Sequence, residues 1–409
     1  MTTPAGSALQ SHQTLSKRAM ALVGLLLLVS ATYASLLGWR TTDVEWWFLP
    51  WMNYIIEHGA KASLEAPLNV QMVGENGFGN YAPPYLYLLI VASAASAWFS
   101  SFLLVKFVSI AGVLFCAACI YYVIRCLAPP ATALLGAAGL LLLPTVALNG
   151  PAWGQTDTIW SGLAALAVGF ALRDRLAAMM MIFGVAVAFK LQAVFIAPFL
   201  LYVLLSRRAA LQYLPLPALT YAGMMLPAWL AGRPAWDLAT VYLEQAGAYR
   251  WLSMNSPNPW AFVQYGRLVP YELGMALGAS AALLATLLLA ALSVRARRLD
   301  KEDLLLLSVT VAAAMPYVLP KMHERYFFLA DVLAYAMAVC QPRPWTIGVA
   351  TAIQIGSVLA YASHMLDFAL GKYLGALFIG AALVILVHRL WLTLRAPRTG
   401  MAGSPSSVA

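Results

Sequence analysis

The sequence has little charge. Of its 409 residues only 10% are Asp, Glu, Lys or Arg, whereas 62% are hydrophobic. A soluble domain carries about 25% charged residues, and a chain of this size cannot hide so many apolar residues in one water-soluble core. The composition therefore excludes an ordinary soluble protein and predicts an integral membrane protein that crosses the bilayer many times.

The sequence also lacks the signatures of several kinds of site. It contains no Gly-rich phosphate loop, no dinucleotide fingerprint and no metal-ligand helix motif. No basic stripe interleaved with aromatic residues is present, which argues against nucleic-acid binding. The four cysteines lie in or beside apolar runs without metal-ligand spacing, as small packing residues do: Cys116, Cys119, Cys126 and Cys340. We therefore expect no metal, no cofactor and no nucleic-acid partner.

Thirteen apolar runs organise the chain. The first follows Lys17 and Arg18 and has the look of a signal peptide, with a passable cleavage site at Thr32-Tyr33-Ala34. Its length of about 20 residues exceeds a typical signal-peptide core, so an uncleaved first span is favoured. The runs are 19–39, 82–99, 101–124, 131–148, 154–172, 176–189, 192–206, 212–231, 271–294, 303–319, 326–340, 345–364 and 371–394.

Charge at the ends of the runs indicates the orientation. If the run 82–99 does not cross, as Pro83-Pro84 and the short gap after it favour, the basic caps all fall on the side of Lys17 and Arg18. Lys and Arg collect in the cytoplasm. We therefore expect an all-α polytopic protein of the inner (plasma) membrane, with about 12 transmembrane helices and both termini cytoplasmic.

This topology predicts one transmembrane domain with a tail at each end. Its polar loops lie mostly on the extracytoplasmic, or periplasmic, face. The expected segments are a cytoplasmic N-terminal tail (1–18), the transmembrane domain (19–395), a first outer loop with juxtamembrane or re-entrant helices (40–100), an outer lid loop (232–270) and a disordered cytoplasmic tail (396–409).

The first outer loop carries two acids at the membrane interface. Asp43 and Glu45 follow the first span directly, where a carboxylate could act as a general base. An aromatic belt with incidental acids is the alternative, because tryptophans surround both residues. The same loop ends in Asn80 and Tyr81, for which an anchoring role at the headgroups is also open.

Two further loops combine polar side chains with membrane depth. Trp153, Gln155 and Asp157 open a span, and an aromatic ring beside an amide and a carboxylate suits sugar hydroxyls. Asp157 could instead simply stabilise the helix N-terminus. Lys190 and Gln192 interrupt a long apolar stretch, where a lysine is costly unless it is paired, lines a cavity or snorkels to the interface.

The sharpest feature is the segment from Lys321 to Tyr326. Lys321, His323 and Arg325 place three cationic or protonatable groups between two apolar runs, on the face where cations are less expected. Such a cluster is a ready anion site, and phosphate is the obvious anion. The lid loop adds Arg250 and Trp251, which could order over a site or lie on the headgroups.

These motifs together resemble the C-type glycosyltransferase superfamily (GT-C). The order of the motifs carries the resemblance over about residues 20–340, and it is similar to bacterial polyprenyl-phosphate-mannose mannosyltransferases and relatives of GPI mannosyltransferase II. The motifs are Asp43, Asn80-Tyr81-Ala82-Pro83-Pro84, Trp153-Gly154-Gln155-x-Asp157, Lys190-Leu191-Gln192 and Met322-His323-Glu324-Arg325-Tyr326.

The resemblance implies an inverting transferase that takes a sugar, mannose in the nearest relatives, from a polyprenyl-phosphate donor. Asp43 would be the base, with Glu45 as the other candidate. The donor phosphate would be held by His323, Arg325, Lys321 and Lys190. The sugar or acceptor would contact Asn80, Tyr81, Trp153, Gln155, Asp157, Gln192, Arg250 and Trp251.

The expected partners are a lipid-linked sugar donor, a glycolipid or glycan acceptor of the cell envelope, and membrane lipids, with the protein acting as a monomer. A solute transporter or a flippase for lipid-linked sugars is the alternative, since a lysine at membrane depth is also a transporter feature. A transporter would carry polar groups through the full membrane depth, whereas here they concentrate on one face.

Overall fold

The protein is described by a computed structural model for residues 4–66, 70–73, 76–78, 81–247, 250–295 and 299–395. Most of these residues are helical. The α-helices are α1 (Pro4–Leu37), α2 (Leu49–Glu65), α3 (Pro83–Ser93), α4 (Ser101–Ile124), α5 (Pro130–Leu140), α6 (Pro144–Ala147), α7 (Asp157–Leu172), α8 (Leu176–Phe189), α9 (Ala197–Ser206), α10 (Leu216–Ala231), α11 (Ala235–Gly247), α12 (Pro259–Tyr265), α13 (Tyr271–Arg295), α14 (Lys301–Val318), α15 (Phe328–Cys340), α16 (Pro344–Met365) and α17 (Gly371–Arg395).

Short elements of other kinds join these helices. Among the described residues two pairs of short strands occur, an antiparallel one of β1 (Val70–Val73) with β2 (Asn76–Phe78) and a parallel one of β3 (Ser253–Met254) with β4 (Met322–His323). The π-helical turns are Val44–Phe48 and Leu148–Ala152, and the 3₁₀ turns are Leu191–Ile196 and Arg208–Tyr213. Wide π turns often lie beside functional sites, and both of these adjoin loops singled out in the sequence.

Fewer described helices are long and apolar enough to cross a membrane than the number of crossings that the sequence predicts. Among the described residues, six helices are long and apolar enough to cross a membrane, or seven if the pair Pro130–Leu140 and Pro144–Ala152, bent by 53°, counts as one. Twelve crossings are therefore not confirmed. Several apolar runs form helices too short to cross alone: α8 has 14 residues, about 21 Å, against a hydrocarbon thickness of about 30 Å.

The core of the protein lies between helices near the middle of the chain. α7 and α15 are buried along most of their length, as is more than half of α4. In contrast, only 11% of the most apolar stretch of α13 is buried inside the protein. Its exposed leucines, such as Leu283 and Leu287, are what a helix at the lipid boundary presents.

The segment 40–100, expected to be the first outer loop, contains the first π turn, α2 and α3. α3 has 11 residues, about 16 Å, so it is too short to cross the bilayer. The helices α3, α5, α12 and α16 all begin at a proline. Proline is favourable at the first helical position because its φ is already helical and the amide hydrogen that it lacks would have no partner within the helix.

The ends of the chain differ from the expected division. α1 starts at Pro4, so the helix includes most of the segment 1–18 that was expected to be a separate tail. The tail 396–409 lies outside the described residues. The expected lid loop 232–270 contains α11, β3 and α12.

Candidate active site

One cavity of about 870 Å³ collects most of the residues singled out in the sequence. Its charged and amide side chains come from four separate chain segments, and Tyr81 adds a fifth. The apolar lining comes from the first π turn and α2, from the 3₁₀ turn Leu191–Ile196, and from α9, α13 and the end of α14. The charged, amide and imidazole residues are Asp43, Gln155, Lys190, Gln192, Lys321, His323 and Arg325, and the apolar ones include Trp47, Phe48, Trp51, Val194, Phe195, Leu201, Ala282, Leu283, Met315 and Leu319.

The apolar part of the cavity reaches the lipid-facing side of the helices. Ala282, Leu283 and Thr286 lie near the middle of α13, and Leu201 lies within α9. Leu283 is 60% exposed, so this wall borders the protein surface at membrane depth. The cavity therefore joins a polar, cationic region to an apolar wall that α9 and α13 form.

Asp43 enters the cavity at the start of the first π turn. Its Oδ2 accepts a hydrogen bond from Trp153 Nε1 at 2.8 Å and a second, short one from Gln155 Nε2. Within the described part of the chain Oδ1 accepts none. A carboxylate held through one oxygen keeps the other available for a ligand, which is the arrangement of a positioned base or acceptor.

A tight turn brings Trp153 and Gln155 to Asp43. Gly154 has φ +77°, a conformation that glycine adopts without strain, and a Cβ there would lie 2.7 Å from Val44 Cγ2. The absence of a side chain therefore permits the second π-turn segment to pack directly against the first.

Lys106 fastens the same two segments from below. This lysine of α4 is fully buried, and its Nζ donates to the carbonyls of Trp39, Pro151 and Ala152 at 2.8, 3.1 and 2.5 Å. A buried ammonium is tolerated when all its donors are used. Lys106 thus ties the end of the first helix to the loop that carries Trp153.

Asp157 is a buried hub beneath the cavity floor. Its Oδ1 binds Lys190 Nζ at 2.7 Å and Trp160 Nε1 at 2.9 Å. Its Oδ2 accepts from Asn149 Nδ2 at 3.1 Å and lies 3.4 Å from Arg325 Nε. The carboxylate therefore draws the two cations of distant segments to the same side of the cavity.

The segment after α14 supplies the remaining charge. Glu324 is buried, and its Oε1 accepts from the Arg325 guanidinium at 2.6 Å. Burial alone would raise the pKa of Glu324, but Arg325 and His323 hold that pKa far below its usual 4.5. Glu324 is therefore a carboxylate that fixes the direction of Arg325. The same terminal nitrogen, Nη1, that donates to Glu324 lies 3.9 Å from Asp43 Oδ2.

His323 reaches the cavity as a neutral side chain. Burial lowers its pKa below 6.5, and the Arg325 and Lys190 charges add to that shift although Glu324 opposes it. The imidazole can donate or accept a hydrogen bond at neutral pH. The cationic character of the cavity then comes from lysine and arginine side chains rather than from His323.

The lid segment is pinned to the end of α14. β3 pairs with β4, so the backbone of Ser253 and Met254 lies beside Met322 and His323. Asn258 Nδ2 donates to the carbonyl of Pro316 at 3.0 Å, and Trp260 Nε1 donates to that of Val318 at 2.8 Å. These bonds hold the loop that bears His323 and Arg325 in a defined position.

Five expected site residues do not line the cavity. Glu45, the other candidate for the base, binds the Arg40 guanidinium at 2.5 Å. Arg250 pairs with Glu272 on the surface, with both side chains about three-quarters exposed, and Trp251 beside it is 55% exposed. Arg250 and Trp251, which belong to the expected lid loop, do not line the cavity.

Trp153 and Asp157, expected at the sugar or acceptor, are both completely buried. The Trp153 ring stacks on His364 at 5.1 Å and lies under the Arg325 guanidinium at 5.4 Å. It therefore serves to orient Asp43 and is not an open platform for a sugar ring. Asn80, expected at the sugar or acceptor, lies outside the described residues.

Lys106 and His364 are site-supporting residues that the sequence did not indicate. Lys106 lies just over one turn inside the apolar run 101–124. A single cation within such a run is the one sequence feature that could have indicated it. His364 lies at the end of α16, more than 200 residues from Trp153, and no local pattern connects the two. Glu324 stood within the cationic segment, without a role of its own.

The described residues contain no group of three or more His, Cys, Asp or Glu side chains arranged to hold a metal ion. In comparisons with known proteins, no family model matches this chain and no curated protein matches it. The fold and the site together thus define a helical membrane protein. Its cationic cavity has one wall formed by α9 and α13, and the carboxylate of Asp43 lines it.

Proposed function

We propose that the protein is an integral membrane inverting glycosyltransferase of the GT-C kind. It would move a sugar, mannose by resemblance, from a polyprenyl-phosphate donor to a lipid-linked or cell-envelope glycan acceptor. The single observation that carries the proposal is the cavity, in which Asp43 faces the Arg325 guanidinium at 3.9 Å and apolar residues of α9 and α13 form one wall.

The shape and charge of the cavity favour an amphiphilic anion. A lipid phosphate would place its charge near Lys190, Lys321 and Arg325 and its chain along the apolar wall. A guanidinium matches phosphate oxygens with two parallel donors. Soluble nucleotide sugars have no need of the apolar wall, and a membrane-borne donor does.

The proposed reaction is a direct displacement. An acceptor hydroxyl oxygen attacks the anomeric carbon, the bond from that carbon to the phosphate oxygen breaks, and the lipid phosphate leaves with the electron pair. Asp43 Oδ1 takes the hydroxyl proton, since Oδ2 is held by Trp153 and Gln155. Arg325 and Lys190 stabilise the charge that grows on the phosphate, and His323 donates a hydrogen bond as a neutral imidazole.

Topology completes the proposal. The charge pattern of the sequence favours the cavity on the extracytoplasmic face of the inner membrane. A donor delivered through the membrane fits that location because the active site then needs no cytoplasmic nucleotide. We expect the chain to act as a monomer.

The test is transfer of labelled mannose from a short polyprenyl-phosphate-mannose to membrane glycolipids by the purified protein. Asp43→Asn should lower turnover by about 10²- to 10⁴-fold, the usual contribution of a general base, while donor binding persists. Glu45→Gln is the matched control, because Glu45 is a neighbouring carboxylate outside the cavity. It should change turnover by only a few-fold.

The other outcomes separate the alternatives. Equal losses in the two variants would remove Asp43 from its role as base. Wild-type protein that binds lipid-linked sugars and moves them between leaflets, without transferring the sugar, would establish the flippase alternative. Wild-type protein that binds no lipid-linked sugar would refute the proposal.

A further inference from the structure

A second cavity lies at the opposite ends of the helices that build the candidate active site. α7 begins with Asp157 at the active site and ends at Leu172, and α14 ends at Val318 after beginning at Lys301. With 1.5 Å per residue, the 16 residues of α7 separate the two places by about 24 Å. The second cavity therefore sits near the other membrane surface.

Cations dominate the lining of this cavity, whose volume is about 520 Å³. It contains four cations and one carboxylate, with Cys126 and Leu172 as the other wall residues. The charged residues are Arg125, Arg173, Asp174, Arg175 and Lys301. Asp174 binds the Arg207 guanidinium, at 2.6 Å from NH2, so part of its charge is directed away from the four lining cations.

The protein leaves these cations without carboxylate partners in the described part of the chain. Arg175 and Lys301 form no ion pair there, and Arg125 donates only to the carbonyl of Ala128, at 2.7 Å. Arg173 donates to the Cys126 sulfur at 3.3 Å and lies over the Tyr122 ring at 4.3 Å. Those two contacts fix the plane of its guanidinium before any ligand arrives.

The acids near Lys301 are occupied elsewhere. Asp300 caps α14 by accepting from the Asp303 amide at 2.9 Å, and Glu302 binds Arg343 at 3.2 Å. Asp303 accepts from Thr393 at 3.4 Å. A general preference for Lys and Arg on one membrane face explains the presence of cations, but it does not explain why four of them converge on one cavity.

We propose that this cavity binds the phosphate headgroup of an anionic phospholipid from the leaflet on that side. Like charges converge at low cost when a bound anion neutralises them. Guanidinium groups suit phosphate oxygens, and basic pockets between helices at a membrane surface are places where such headgroups bind. The inference is independent of the reaction proposed for the other cavity.

The experiment uses the full-length protein in nanodiscs of phosphatidylcholine doped with cardiolipin or phosphatidylglycerol. Native mass spectrometry counts the lipids that remain bound, and thermal unfolding reports the stabilisation that they bring. We expect wild-type protein to retain the anionic lipids selectively over phosphatidylcholine.

The informative variant is Arg175→Gln with Lys301→Gln, because neither side chain contacts another described residue through a hydrogen bond or ion pair. Loss of both should weaken retention of the anionic lipid by about 25-fold, since each cation near the surface contributes about fivefold. Arg389→Gln is the matched control: Arg389 lies near the end of α17 over Trp345, outside the cavity, and its loss should leave retention unchanged.

Three results would overturn the proposal. Wild-type protein could show no selectivity for anionic lipid, or Arg389→Gln could lose as much retention as the double variant. Inorganic phosphate could also stabilise the wild type in pure phosphatidylcholine as much as the lipids do, which would identify a soluble phosphate as the ligand. Unchanged unfolding of the double variant in phosphatidylcholine shows that any lost retention is not a loss of fold.

Discussion

The buried carboxylate of Asp157 offers the most direct test of how the candidate site is held together. In Asp157→Asn the side chain keeps its size but loses the charge that lies 2.7 Å from Lys190 Nζ and 3.4 Å from Arg325 Nε. Arg325 retains Glu324 at 2.6 Å, whereas no other carboxylate is paired with Lys190 in the described part of the chain. The substitution therefore leaves one cation uncompensated in a place that is 8% exposed.

The magnitude follows from that uncompensated charge. Removing one partner of a buried ion pair costs about 3–5 kcal/mol, and we expect Asp157→Asn to fall in this range. Lys190→Met should cost less, because Asp157 keeps Arg325 and the donors Trp160 and Asn149. The double variant should cost less than the sum of the single ones, with a coupling energy of about 1–3 kcal/mol.

The assay is reversible unfolding in mild detergent, followed by tryptophan fluorescence, which needs no substrate. Glu272→Gln is the control, because it also removes one carboxylate from an ion pair, but one whose partners are about three-quarters exposed. Exposed pairs contribute little. The reasoning is refuted if Asp157→Asn destabilises no more than Glu272→Gln, or if the two single effects simply add.

Three further predictions concern residues that support the site. Lys106→Met should lower stability by about 3 kcal/mol, because three buried carbonyls lose their donor, and sugar transfer should fall more than donor binding; melting and turnover measure the two. Gly154→Ala should cost about 1–2 kcal/mol for its φ of +77°, and Val44→Ala should restore only the steric part in a melting series. Because the pKa of His323 is below 6.5 in the folded protein, the unfolded chain binds more protons below that pH, so stability should fall on acidification from pH 6.5; melts of His323→Gln should lack that slope.

The convergence of the polar loops was predictable because it follows from topology. Asp43, Lys190 and the segment at His323 each interrupt or follow an apolar run, and counting runs from the first span assigns them to one face. In the structure all three line one cavity. These residues were recognisable in the sequence because a charged or polar side chain at membrane depth is energetically costly unless it has a partner or lines a cavity.

The number of crossings was less predictable, for a reason of length. The sequence showed separate runs at 176–189 and 192–206, and the structure has α8 and α9 there, with 14 and 10 residues. An apolar run predicts a span from its composition alone. In the structure α8 ends just before Lys190, and the 3₁₀ turn Leu191–Ile196 separates it from α9. Short helices beside the cavity carry apolar residues toward the core without crossing the bilayer on their own.

The role of Trp153 could not be read from the sequence at all. A tryptophan beside an amide and an acid fits a sugar platform as well as it fits a structural donor. The difference lies in burial, which Tyr361 and His364 impose from a helix more than 200 residues away. Local spacing carries no information about which distant ring will cover the indole.

Two buried lysines, Lys106 and Lys190, show what the sequence rule for intramembrane cations can and cannot tell. The rule identified Lys190, which breaks an apolar stretch, and passed over Lys106, which does not. Lys106 gives all its donors to three carbonyls, so it is a fixed strut with no donor left for a ligand. Lys190 gives one bond to Asp157 and lines the cavity. Its ammonium therefore keeps donors for an incoming anion, and this bonding pattern, more than the depth of Lys190 in the membrane, favours the proposed role in binding the donor phosphate.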